Sequence, residues 1–256
     1  MAMRIVAYGL IVTIDTDEPD LFRLLDQHLP AFPAASTTAS PSLAYRLSTD
    51  GEQRVVIRDH ETVVVARDLD TACRYLVHDL QSMIATRAPG LTLVHAGVVA
   101  SGRRALILPG RSGAGKTTLV AALVAAGAEY GSDEFAAVDC EARVHAYARP
   151  LAFRSATSGD ARIAPGALGA RVLSEPLPVG AILFTTFVPG AVMALRPLPV
   201  SEVALGLLQH APGARDNPTK TIAILGAVAA GARGLTGPRG EATDAVAAVA
   251  DLLRAT

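Results

Sequence analysis

The stretch Gly110-Arg111-Ser112-Gly113-Ala114-Gly115-Lys116-Thr117-Thr118 lies between an apolar run and a helix-like run of the sequence. It matches the pattern G-x-x-x-x-G-K-[ST], in which glycines allow successive backbone N–H groups to turn toward one anion. In this pattern the ammonium group of Lys116 reaches the β- and γ-phosphates, and the hydroxyl of Thr117 meets Mg²⁺. We therefore predict that residues 110–118, here called the glycine-rich loop, bind phosphate.

The residues on either side of this loop supply the context that the motif needs. Residues 105–108 are apolar and predict a buried strand, and residues 118–126 predict a helix that Gly127 ends. A strand, a glycine-rich loop and a helix in this order define the P-loop unit. The first turn of the helix also directs N–H groups and its positive dipole end toward the loop, which favours an anion. The alternative, a glycine turn with an incidental lysine, leaves this succession unexplained.

Composition and charge argue against several classes of function. The chain has 256 residues, of which 50% are hydrophobic, so it can bury the core of one large or two modest domains. A formal net charge of -1 and the lack of Trp argue against a broad nucleic-acid surface, which needs a basic face or stacked aromatic rings. Cys73 and Cys140 lie far apart and have no metal-ligand spacing, so they indicate neither a disulfide framework nor a zinc site.

The start of the chain, Met1-Ala2-Met3-Arg4, leads into an alternating run rather than into the apolar core of a signal peptide. No apolar segment approaches the length of a membrane span. We therefore expect a cytoplasmic protein with neither a membrane nor a nucleic acid as its partner.

The first part of the chain predicts a small α+β domain over residues 1–89. Alternating and β-branched runs predict strands at residues 3–15, 43–47, 54–58 and 62–66, and helical spacing of apolar residues predicts a short helix after Pro19 and a long one over residues 68–87. The turns between the later strands suit an antiparallel meander. No catalytic constellation occurs in this part of the sequence.

His95 lies in the apolar run of residues 91–100, which predicts a strand one hairpin before the glycine-rich loop. Two interpretations of this histidine are open. An imidazole at this place can assist phosphoryl transfer, but a hydrogen-bonded histidine of the core has the same sequence pattern.

Two adjacent acids, Asp133 and Glu134, follow a short strand-like run after the predicted helix. In phosphoryl transfer one carboxylate can hold Mg²⁺ while another accepts the proton of the attacking hydroxyl. Neighbours in a strand point to opposite faces, so only one acid enters the site unless the strand ends between them. We favour Asp133 as the inward residue; the alternative is a surface turn. Arg149 and Arg154 are candidates for a second cation beside Lys116, and both also fit a structural role.

The succession His95-Ala96-Gly97-Val98-Val99, then the glycine-rich loop with its flanks, then Gly131-Ser132-Asp133-Glu134, resembles the catalytic core of HPr kinase/phosphorylase and HPr-kinase-like proteins in order and spacing. The resemblance covers residues 91–154. The first domain is similar to that of divergent HPr-kinase-like proteins, including lasso-peptide kinases. The acids are Asp-Glu where the family has Asp-Asp, and the family's later glycine-rich signature is not found.

This resemblance implies an α/β fold, with a P-loop kinase domain of the HPr-kinase/PEP-carboxykinase-like type over residues 90–256. It implies ATP and Mg²⁺ as cofactors, with Lys116 on the phosphates and His95 near them. It further implies Asp133 as the general base, and Thr117 and Glu134 near the metal. The implied activity is phosphorylation of a serine-type hydroxyl of a peptide or protein, such as a natural-product precursor peptide. Because the family assembles as rings, a homo-oligomer is also expected.

The rest of the chain predicts structural elements but no second motif. Residues 180–187 and 191–198 predict strands, residues 200–210, 220–232 and 241–255 predict helices, and residues 234–240 predict a glycine-rich connection. No Leu-Ser-Gly-Gly-Gln run occurs, which argues against an ABC-type ATPase.

Two other functions fit the same loop. A small-molecule kinase would use it to phosphorylate a metabolite, and a nucleotide-binding regulatory protein would bind ATP with little catalysis. The sequence alone does not name the phosphoryl acceptor.

Overall fold

The computed structural model describes residues 1–36, 39–111, 113–153 and 161–254. The fold is mixed α/β with several sheets, and the chain divides into two compact units, Met1–Pro89 and Gly90–Thr256. Ser112 and Arg154, both named above as candidate residues, lie outside the described residues. No helix in the described ranges is long and apolar enough to cross a bilayer.

The first unit is a five-stranded sheet with two helices. Its strands, in spatial as well as chain order, are β1 (Ala2–Ala7), β2 (Leu10–Thr16), β3 (Leu43–Asp50), β4 (Gln53–Arg58) and β5 (Glu61–Ala66). Helix α1 spans Leu21–Leu25 and helix α2 spans Leu69–Arg87. Asp68 caps α2 by accepting a hydrogen bond of 2.7 Å from the N–H of Thr71, and α2 packs on β4 and β5.

The single strand expected over residues 3–15 is a hairpin instead. Tyr8 and Gly9, with φ of +49° and +85°, turn the chain between the antiparallel strands β1 and β2. Two successive residues with positive φ give the turn a twist that suits a tight hairpin. Apolar and β-branched residues continue on both sides of the turn, so the alternating pattern hides the break.

The second unit is built around an eight-stranded sheet and a separate two-stranded ribbon. Its strands are β6 (Leu91–Ser101), β7 (Arg104–Pro109), β8 (Glu129–Ser132), β9 (Phe135–Asp139), β10 (Arg143–His145), β11 (Leu151–Phe153), β12 (Ala161–Ile163), β13 (Leu177–Phe187), β14 (Arg196–Pro197) and β15 (Arg233–Arg239). The spatial order is β10-β9-β6-β7-β13-β15-β14, with β8 beside β6, and β11 pairs with β12. Strands β7, β13 and β15 are parallel, and β6 is antiparallel to β7.

Helices cover both faces of this sheet. They are α3 (Lys116–Ala125), α4 (Val200–Leu208), α5 (Pro218–Gly231) and α6 (Ala242–Arg254). Ile107 and Ile182 enter the core that contains α4 and α5, whereas their neighbours Leu106 and Leu183 enter the core that contains α3 and α6. Alternate residues in the middle of β7 and β13 are thus buried on opposite faces, which explains why residues 105–108 and 181–184 are apolar without a break.

Two expectations for the later part of the chain are wrong. Residues 191–198 contribute only the short strand β14, and residues 234–240, expected as a connection, form most of β15 and the residue after it. A Cβ atom on Gly234 would overlap the side chain of Val203, and one on Gly237 would overlap the carbonyl oxygen of Ala194. The glycines of this segment therefore mark a crowded strand rather than a turn.

Candidate active site

The glycine-rich loop follows β7 and leads into α3. Gly115 is the N-cap of α3, has φ of +75°, and has no side chain to cap the first helical turn. The N–H groups of a first helical turn have no partner within the helix, so they can bind an anion. The ammonium group of Lys116 donates to the carbonyl oxygens of Gly110 (2.8 Å) and Arg111 (3.0 Å), which holds it over the loop.

Asp133 and Glu134 lie in the bend between β8 and β9, and both line the same cavity. Strand β8 ends at Ser132, whose hydroxyl accepts hydrogen bonds from the N–H groups of Glu134 (3.0 Å) and Phe135 (2.9 Å). A side-chain bond of this kind stabilises a turn. The strand therefore ends before the acids, which is the condition under which both carboxylates can face one site.

Asp133 is buried, and both of its oxygens have partners. Oδ2 accepts hydrogen bonds from the hydroxyl of Thr117 (3.0 Å) and the N–H of Ala152 (3.1 Å). Oδ1 accepts one from the hydroxyl of Tyr130 (3.3 Å) and lies 3.4 Å from Nε of Arg149. Burial, followed by the nearby Asp133 charge, raises the pKa of Tyr130, so its hydroxyl remains a donor. These contacts fix the orientation of the Asp133 carboxylate against α3.

Arg149 joins the two acids. Its Nη2 donates to Oε2 of Glu134 over 2.5 Å, and its side chain is only 8% exposed. Burial acts to lower the pKa of Arg149, but nearby groups, first of all Glu134 and Asp133, raise it above its usual value. Two carboxylates therefore hold this guanidinium, so Arg149 positions the acids, and it also lines the cavity that they share. Its role as a second cation for the phosphoryl group stays a prediction.

His95 lies on β6 at the edge of the site. Its Nδ1 is 3.6 Å from Oε1 of Glu134, and its ring centroid is 4.3 Å from that of Phe135. Its side chain is 43% exposed, so it does not lie inside the core. Burial lowers the pKa of His95, against an opposing effect of Glu134 and with a further lowering by Lys116, which favours the neutral imidazole near pH 7.

Three residues that no sequence pattern points to also contribute to this site: Tyr130, His210 and Arg239. The carbonyl oxygen of His210, just after α4, accepts a hydrogen bond of 2.7 Å from the N–H of His95. Arg239 ends β15 and donates to the carbonyl oxygen of Gly115 over 3.0 Å. No motif marks these residues, and the places of His210 and Arg239 depend on how distant elements meet in the fold.

A cavity of about 210 Å³ runs between the loop and the acids. The residues that line it are Gly113, Gly115, Lys116, Thr117, Thr118, Asp133, Glu134, Arg149, Ala152 and Phe153. The loop offers N–H donors and a cation to phosphate oxygens. The hydroxyl of Thr117 and the two carboxylates are hard oxygen donors of the kind that Mg²⁺ uses together with phosphate and water. These residues therefore fit a magnesium nucleotide.

No protein-family model matches the chain, and no curated protein matches it. Among solved structures the chain is similar to the Hpr(Ser) kinase/phosphatase from Coxiella burnetii, with 13% sequence identity and a TM-score of 0.39. The match covers 64% of this chain and 95% of that chain. A likeness at this level assigns no function.

Proposed function

We propose that the protein is an ATP- and Mg²⁺-dependent kinase that transfers the γ-phosphoryl group to a serine-type hydroxyl of a peptide or protein. The observation that carries this proposal is the meeting of the glycine-rich loop and the two acids at one cavity, joined by the hydrogen bond between Thr117 and Asp133. A precursor peptide of a natural product is the acceptor that the sequence resemblance suggests.

The loop supplies the nucleotide half of this site. Its backbone N–H groups and the N-terminal turn of α3 would bind the phosphates, and Lys116 would leave the carbonyl oxygens of Gly110 and Arg111 for the β- and γ-phosphates. Mg²⁺, held by the hydroxyl of Thr117 and by Glu134, would supply charge neutralisation for the phosphoryl group. Catalysis of this kind depends mainly on positioning and on electrostatic stabilisation.

The acids supply the acceptor half. We assign to Asp133 the role of general base, which accepts the proton of the attacking hydroxyl. Of the hydrogen bonds to this carboxylate, the one from Thr117 is easily given up, because a hydroxyl can rotate to another oxygen partner. Oδ2 would then be available to the acceptor. The neutral His95, whose Nδ1 lies 3.6 Å from Oε1 of Glu134, is at the edge of the cavity, where it can assist the transfer.

An assay with γ-labelled ATP and Mg²⁺ tests this function. Serine-containing peptides, beginning with any peptide encoded beside the gene, are compared with small alcohol metabolites, and Lys116→Ala serves as the inactive control. Label on a peptide serine supports the proposal. Label only on a metabolite indicates a small-molecule kinase, and tight ATP binding without transfer to any acceptor indicates a nucleotide-binding regulatory protein.

A further inference from the structure

The guanidinium group of Arg239 lies behind the glycine-rich loop, at the end of β15. Its Nη2 donates to the carbonyl oxygens of Gly115 (3.0 Å) and Ala114 (3.3 Å), and its Nη1 donates to that of Gly240 (3.1 Å). The residue is 3% exposed. Arg239 is not among the residues that line the cavity between the loop and the acids. Because the C=O and N–H groups of a trans peptide point in opposite directions, it meets the peptide units of Ala114 and Gly115 on the side away from their N–H groups.

No carboxylate among the described residues pairs with the charge of Arg239. Within the described part of the chain it forms no ion pair, and Glu241 acts on it only at longer range. Its Nε is buried without a hydrogen-bond partner among the described residues, and its Cζ lies 5.4 Å from the ring centroid of Phe187. A buried cation without a counter-ion is unfavourable. Arg149, by contrast, is buried between two carboxylates.

The two loop carbonyls that Arg239 binds belong to the peptide units that carry the N–H groups of Gly115 and Lys116. In loops of this pattern such N–H groups face the phosphates. Hydrogen bonds in a chain polarise one another, so a cation on the carbonyl oxygen makes the N–H of the same amide a stronger donor. The charge behind the loop thereby acts on the phosphate side without contacting the phosphate.

We propose that Arg239 is a positioning residue for nucleotide binding, which holds the peptide units between Ala114 and Lys116 from behind and strengthens their N–H groups toward the phosphates of a nucleoside di- or triphosphate. This inference rests on the nucleotide half of the proposed function and is independent of the acceptor. It also explains why a buried arginine without a counter-ion lies at this place, since the anionic ligand balances its charge through the loop.

The test compares Arg239→Met and Arg239→Lys with Arg233→Met in the full chain. Arg233 begins the same strand and is exposed, so its substitution removes the same charge away from the loop. Affinity is measured by titration with ADP and with inorganic pyrophosphate, which has no nucleoside. Amide proton shifts of Gly115 and Lys116 are followed by NMR in the ligand-free protein.

We expect Arg239→Met to weaken binding of both ligands about tenfold or more, with upfield shifts of the two amide protons. Arg239→Lys keeps the charge but cannot bind all three carbonyls, so intermediate values are expected, whereas Arg233→Met leaves both measurements unchanged. The inference is overturned if Arg239→Met binds both ligands as tightly as the wild type and shows the same amide proton shifts. If Arg239→Met does not fold, the same result for Arg239→Lys overturns the inference. If the Arg239 variants show these effects but the wild-type protein transfers no phosphoryl group, only the kinase function is contradicted.

Discussion

The hydroxyl of Thr117, in the first turn of α3, donates a hydrogen bond of 3.0 Å to Oδ2 of Asp133. The two residues are 16 positions apart and belong to the two halves of the site, the glycine-rich loop with its helix and the bend after β8. A shift of either half therefore changes the other. The bond thus connects the helix after the glycine-rich loop directly to the carboxylate that we propose as the base.

Asp133→Asn is expected to abolish phosphoryl transfer while ATP binding remains close to that of the wild type. The amide keeps the size of the side chain but cannot take the proton of the acceptor, and loss of a general base lowers the rate by about 10²- to 10⁴-fold. Transfer rates and ATP affinity are measured on the same preparation, with thermal unfolding as the control for folding. A variant with full activity would show that Asp133 is not the base.

Arg149→Met is expected to destabilise the fold by about 3 kcal/mol, because it leaves the fully buried carboxylate of Asp133 without its cation. In the double variant with Asp133→Asn the unpaired charge at Asp133 is gone, so the loss should be smaller than the sum of the two single losses. Urea unfolding of the four proteins measures this coupling. Strictly additive losses would contradict the pairing of these two residues.

Gly115→Ala is expected to weaken ADP binding more than Gly113→Ala does. Both glycines have positive φ, +75° and +86°, so alanine strains the backbone at either position. Only at Gly115 would the new Cβ overlap Nη2 of Arg239; at Gly113 it meets open space. The ADP affinities of the two variants are compared by titration. Backbone strain is common to both variants, whereas displacement of Arg239 occurs only in Gly115→Ala. Equal losses at both positions would mean that contact with Arg239 contributes nothing to binding.

The stability of the protein is expected to fall as the pH falls below 6.5, in part because of His95 and His210. Burial lowers the pKa of both histidines from the ordinary value of 6.5. The unfolded chain therefore binds these protons more strongly than the folded chain, and their contribution to stability is complete above pH 6.5 and is lost as the pH falls through the lowered values. His95→Gln and His210→Gln should each flatten the dependence of Tm on pH. An unchanged slope in both variants would contradict this account.

Local patterns predict the parts of this protein that depend on neighbours in sequence. The strand before the loop and the helix after it follow from apolar runs and from Gly127, and the placement of His95 one hairpin upstream follows from the turn between β6 and β7. Glycine is the point at which such patterns fail. Gly9 interrupts an alternating run that still predicts one strand, and Gly237 lies in a strand because the carbonyl group of Ala194 leaves no room for a side chain.

The contacts that define the candidate site are long-range and have no local signal. Sequence order places Glu134 beside Thr117 as readily as Asp133, yet the hydroxyl of Thr117 bonds to Asp133 and Glu134 bonds to Arg149. Arg239 reaches the loop from 124 positions away because β15 follows β13 in the parallel part of the sheet. Only the order of the strands brings these residues together.

The central claim is that the glycine-rich loop and Asp133 together move the γ-phosphoryl group of ATP to a serine-type hydroxyl. The most direct measurement is the fate of label from γ-labelled ATP in the presence of Mg²⁺ and a serine peptide, with α-labelled ATP and the Lys116→Ala protein as controls. The account predicts label on the serine from the γ-position alone, and none with Lys116→Ala. Bound ATP without label on any hydroxyl, or equal labelling with Lys116→Ala, would contradict it.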